Sequence, residues 1–145
     1  MPIRLPLAAL LSLLCTGCGL GRGTQEVRLP EGGAVYFKRE SNGYNYDQLG
    51  ITSNADICTR LDSRTDYIFP EIGPLVVFVK VEPKKLTVFS SSAMTKPPRR
   101  TGYPIIENIV LYPSAFAELS RTYRSRAFVK IDIKTTESHV CFNDY

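Results

Sequence analysis

The run Leu75, Val76, Val77, Phe78, Val79, Lys80, Val81 constrains this chain more than any other stretch. It is apolar but for one lysine and rich in β-branched side chains. Such a run reads as a central strand covered on both faces. Glu82, Pro83, Lys84 and Lys85 supply a turn, after which Leu86, Val88 and Ser90 alternate against Thr87, Phe89 and Ser91. Residues 75–91 therefore read as a hairpin near the middle of a sheet.

The same reading places short strands at 27–29, 34–39, 56–61, 105–112, 127–134 and 139–142. In the second of these, Val35 and Phe37 share one face and Tyr36 and Lys38 the other. Strand 127–134 turns Val129, Ile131 and Ile133 inward. Phe116, Leu119 and Tyr123 stand at helical spacing after Pro113 and Ser114, which predicts a short amphipathic helix over 115–123, capped by Ser114 and packed on a sheet. Arg121, Arg124 and Arg126 near its end suit the negative end of the helix dipole and need no ligand to explain them. Many short strands, one helix and no regular βαβ alternation predict a mainly β fold, an antiparallel β-sandwich-like (or α+β) domain with one short helix.

The first 18 residues decide where such a domain lives. Leu7 to Leu14 are eight apolar or small residues, far short of the ~20 that a spanning helix needs. With Arg4 before them they read as a secretory signal. Thr16 and Gly17 are small and precede Cys18, and this pattern resembles the lipobox of bacterial lipoproteins. It departs from that pattern at Cys15, where leucine is usual, with Leu14 one place earlier. The resemblance implies lipidation of Cys18 with palmitate-type acyl chains, which become a membrane anchor; the alternative is a plain signal peptide cleaved near 17–23. Gly19, in place of an aspartate, implies sorting to the outer membrane, facing the periplasm. The chain then divides into a lipoprotein signal peptide over 1–17, a lipidated cysteine with a flexible tether over 18–25, and a single periplasmic β-rich domain over 26–145.

Removal of the signal takes Cys15, the lipid takes Cys18, and Cys58 and Cys141 are left. In an oxidising compartment two remaining cysteines invite a disulfide; two separate buried thiols are the alternative. The net charge of +4 is too small to suggest a nucleic-acid partner.

Chemistry is sparse. The chain has one histidine, His139, and carries neither a nucleophile elbow nor a phosphate or dinucleotide loop. Two cysteines and one histidine without CxxC spacing make no metal site. The expectation is no enzyme, no cofactor and no metal.

Two loops are candidates for protein binding. Residues 41–54 hold Asn42-Gly43, a turn signal, with Tyr44 and Tyr46 beside it; the plainer reading lays those tyrosines on the core. Residues 96–104 carry three prolines with Lys96, Arg99, Arg100 and Tyr103, and read as an exposed cationic loop. The overall plan of signal, size, strand cysteine and late cysteine resembles the periplasmic immunity lipoproteins that protect bacteria from type VI secretion effectors. That resemblance implies a domain that binds and neutralises a protein partner. An accessory lipoprotein of an envelope or secretion complex is the other expectation, with edge-strand pairing as its mode of docking.

Overall fold

The computed structural model describes residues 21–42, 46–71, 73–98, 104–135 and 141. Two four-stranded sheets face one another. The first is an antiparallel meander of β1 (Gly21–Arg28), β2 (Ala34–Ser41), β3 (Asp47–Thr52) and β4 (Tyr67–Ile68), in that order. The second has the order β7-β6-β5-β8, from β5 (Val76–Glu82), β6 (Lys85–Ser90), β7 (Ile105–Val110) and β8 (Val129–Asp132). The fold is mainly β and sandwich-like, as the sequence suggests.

Period-two alternation builds the core. Val35 and Phe37 of β2 and Leu49 and Ile51 of β3 meet Val77 and Val79 of β5 and Leu86 and Val88 of β6, all nearly inaccessible to solvent. Burying each such side chain contributes about 1.5–3 kcal/mol. β5 is central in its sheet, and Val77 to Val79 are covered on both faces, whereas Leu75 and Lys80 are exposed. Phe78, on its outer face, lies under α1 (Pro113–Thr122), 5.4 Å from the Phe116 ring and 5.2 Å from the Tyr123 ring. Phe89 meets Phe128 edge-on at 5.1 Å. The helix thus forms a third layer on the second sheet.

Several local expectations are overturned. β7 runs parallel to β6 rather than antiparallel, because the connection after β6 crosses to the first sheet, where Thr95 bridges Ile68, before returning. Ser114 is not the helix cap; Tyr112 occupies that place without a side-chain bond, and Pro113 opens the helix, where its fixed φ and missing N–H do no harm. β8 begins at Val129 and not at Ala127, which has φ +57°. Residues 41–54 are not one loop, since Leu49 and Ile51 alternate inward and make β3. The strand expected over 56–61 is a series of turns: Asn54 Oδ1 accepts the Asp56 N–H at 2.8 Å, and Asp56 Oδ1 accepts the Cys58 N–H at 2.9 Å. Short acidic and amide side chains compete here with any ladder. The strand expected at 139–142 lies outside the described residues except for Cys141.

The expected tether is also too long. β1 starts at Gly21, five residues before Glu26. Its glycines serve close approach: a Cβ at Gly23 would overlap Ile133 Cγ2 and come within 2.5 Å of Lys134 O. The segment following β8 lies directly on β1, and Arg39 fixes it by donating from Nη1 to Ile133 O at 2.7 Å while gripping Asp47 with its other nitrogens at 2.8 and 2.6 Å. Gly23→Ala is accordingly expected to destabilise the domain by about 1–3 kcal/mol through overpacking. Urea unfolding measures this, and an unchanged midpoint would show that the contact yields freely.

Candidate functional site

The outer face of the first sheet carries a layer of buried charge. Arg22 of β1 with Lys38 and Glu40 of β2 are each 1% exposed, and Asp66 is 6% exposed. Register explains their meeting, since Arg22 pairs with Glu40 and all three project away from the apolar core. Residues 53–66 cover them. Lys38 Nζ donates to the carbonyls of Asp56 (2.7 Å) and Thr59 (2.6 Å), while Glu40 Oε1 accepts the Leu61 N–H at 3.0 Å. Burial lowers the Lys38 pKa, and the carboxylates of Glu40, Asp66 and Asp56 oppose that shift. Gly50 gives the cover room: a Cβ there would stand 2.7 Å from Leu61 Cδ2.

A disulfide closes the cover. Cys58 and Cys141 are bonded, with Cα atoms 5.4 Å apart and a sequence separation of 83. Neither sulfur is a thiolate nucleophile in this state.

Tyr46 stands half-buried beside this layer. Its hydroxyl lies 2.9 Å from Gln48 Oε1 and 3.2 Å from Glu40 Oε2. Burial, with the nearby Glu40 charge, raises its pKa. Tyr44, Arg99, Arg100, Tyr103 and Cys18 lie outside the described residues.

The described residues that flank the two candidate loops lie toward opposite ends of the sandwich. Gly21 pairs with Ser41, so the end of β2 stands beside the start of β1. The loop that follows Lys96 returns at Pro104, and Ile105 N–H donates to Lys84 O at 2.9 Å. Lys84 N–H in turn donates to Glu31 Oε1 at 3.0 Å, in the turn between β1 and β2. That end is about 23 Å from Gly21 along β1.

A shallow open depression of about 470 Å³ lies between Asp62, Arg64, Thr65 and Pro98. Its charges satisfy one another. Asp62 accepts the Arg64 N–H at 2.9 Å and the guanidinium at 2.8–3.1 Å. The Arg64 side chain first, and its backbone N–H second, hold the Asp62 carboxyl down to about 2. The folded value lies below the unfolded one, so this pair stabilises the fold above about pH 4 and loses that effect as pH falls toward 2. Carboxyl-carbon NMR between pH 1 and 6 is expected to show a midpoint near 2 for Asp62, moving up toward 3.8 in Arg64→Ala. A wild-type midpoint already near 3.8 would contradict the pairing.

The buried layer is not legible in the sequence. Lys38 and Glu40 alternate with core residues as solvent-facing charges do, and nothing local announces that a distant turn segment covers them. Cys58 within that segment was the available signal. Among the described residues, no cluster of three or more His, Cys, Asp or Glu stands ready for a metal, and no helix is long and apolar enough to cross a membrane. Comparison with protein-family models, with curated proteins and with solved structures finds no match.

Proposed function

We propose that this chain is a lipid-anchored lipoprotein of the bacterial cell envelope, facing the periplasm from the outer membrane. Its β domain binds and neutralises a protein partner, in the manner of an immunity protein against a secreted antibacterial effector. It acts by binding and performs no reaction of its own.

The observation that carries the reading is the Cys58–Cys141 bond. Disulfides persist in oxidising compartments, which agrees with an export signal over residues 1–17. The bond also locks the cover over the buried charges, and a stiff surface loses little entropy when it docks. With Cys18 lipidated, the end of the sandwich that holds Gly21 faces the bilayer and the far end faces outward. That favours the loop of Arg99, Arg100 and Tyr103 over the loop of Tyr44 as the binding element. It flanks Ile105, which is 62% exposed and ready to serve as an apolar anchor.

The test is purification of the tagged, lipidated protein from its own envelope, followed by mass spectrometry and activity assays of whatever accompanies it. One stoichiometric enzyme, inhibited by the protein and released by Ile105→Asp, is the expected result. Components of a secretion or envelope complex would favour the accessory role, for which the outer position of β7 in its sheet provides an edge. Recovery of the protein alone would contradict both.

A further inference from the structure

We infer that the end of the sandwich at which β1 begins is a membrane-contacting surface, on which Leu75, Val110 and Tyr112 enter the interfacial region of a lipid bilayer. The inference rests on lipidation at Cys18 and adds to it an orientation and a second point of attachment.

Strand register brings these three residues to one end. Gly21 opens β1, and a Cβ placed on it would lie 3.2 Å from Thr135 Cβ, in the segment that leaves β8. Asp132 of β8 pairs with Val76 at the start of β5, so Leu75 lies at this end. β6 finishes here as well: Ser90 pairs with Val110, and Leu111 N–H donates to Ser90 O at 2.8 Å, which sets Tyr112 just beyond. Only β6 separates β5 from β7, a spacing of about 10 Å.

All three side chains are large, apolar or amphipathic, and uncovered: Leu75 is 43% exposed, Val110 49% and Tyr112 75%. The length of chain between this end and the lipid selects the occupant. Cys18 is three residues from Gly21, which allows at most about 11 Å even when fully extended. A domain held that closely by acyl chains that sit in the bilayer meets the headgroups with its Gly21 end first. Tyrosine is suited to that depth, with an apolar ring and a polar tip. Lys130 and Lys134 share the single carboxylate of Asp132, which leaves one positive charge beside the three apolar or amphipathic side chains.

The chain contains no tryptophan, so a single introduced indole reports its own depth. The lipidated protein carrying Tyr112→Trp or Ile105→Trp is reconstituted into phosphatidylethanolamine/phosphatidylglycerol vesicles, with and without brominated acyl chains. The expected result is loss of most of the Tyr112→Trp emission to bromine, with Ile105→Trp emission unchanged. If both proteins sediment with the vesicles but Tyr112→Trp is not quenched, or both reporters are quenched equally, the membrane-contacting surface is overturned while the anchor stands. If neither sediments, the lipid reading fails and the inference falls with it.

Discussion

Glu40→Ala is expected to destabilise the domain by about 3–5 kcal/mol, the usual consequence of removing one partner from a buried set of charges. The carboxylate accepts the Leu61 N–H and lies within hydrogen-bond distance of the Tyr46 hydroxyl, and it is the leading favourable charge acting on buried Lys38. Without it the positive side chains of Lys38 and Arg22 stay buried, with less negative charge beside them, and the Leu61 N–H loses its acceptor. Glu40→Gln keeps the acceptor and removes the charge, so it should fall between wild type and alanine. Urea unfolding measures the loss, and amide exchange at Leu61 should accelerate in step with it. A loss below about 1 kcal/mol in Glu40→Ala would mean that the layer is solvated rather than covered.

Cys58→Ser is expected to have an effect of similar size. The native bond closes a loop with 83 residues of sequence separation, and the chain-entropy treatment gives about 4–5 kcal/mol for a loop of that length. The loss should be visible in two ways. The variant should unfold at a markedly lower urea concentration, and its electrophoretic mobility should no longer differ between reducing and non-reducing conditions. Equal mobility of the wild type under both conditions, with two titratable thiols, would contradict the bond. The two substitutions act on one cover, from beneath and from its edge, so their effects should be non-additive in the double variant.

Legibility in the sequence followed the strength of local pattern. The run at 75–81 announced a doubly covered strand because apolar residues occupied both alternating sets, and Phe78 is indeed met by Phe116 and Tyr123. The helix was legible from Phe116, Leu119 and Tyr123, but its cap was not, because Pro113 opens it in place of a hydroxyl cap. Glycine misled twice. At Gly21 and Gly23 it suggested a flexible tether, whereas the chain is extended and pressed against residues 133–135; at Gly50 it suggested a loop where Leu61 packs on a strand. The parallel register of β7 was not legible at all, since it depends on how residues 91–104 travel between sheets. The disulfide was legible once Cys15 and Cys18 were set aside as parts of an expected export signal, while the buried layer it closes depends on contacts between residues 18 to 21 apart in sequence. As for candidate sites, Tyr46 illustrates the limit: its composition suits a binding loop, yet its hydroxyl is engaged with Glu40 and Gln48.

The most direct test of the account is the intact mass of the mature protein taken from the envelope fraction. The mature chain is expected to begin at Cys18, to carry acyl groups on that residue, and to be lighter than its reduced form by the hydrogens of one disulfide. A soluble chain with no acyl mass, or one that begins elsewhere with Cys18 unmodified, would contradict it.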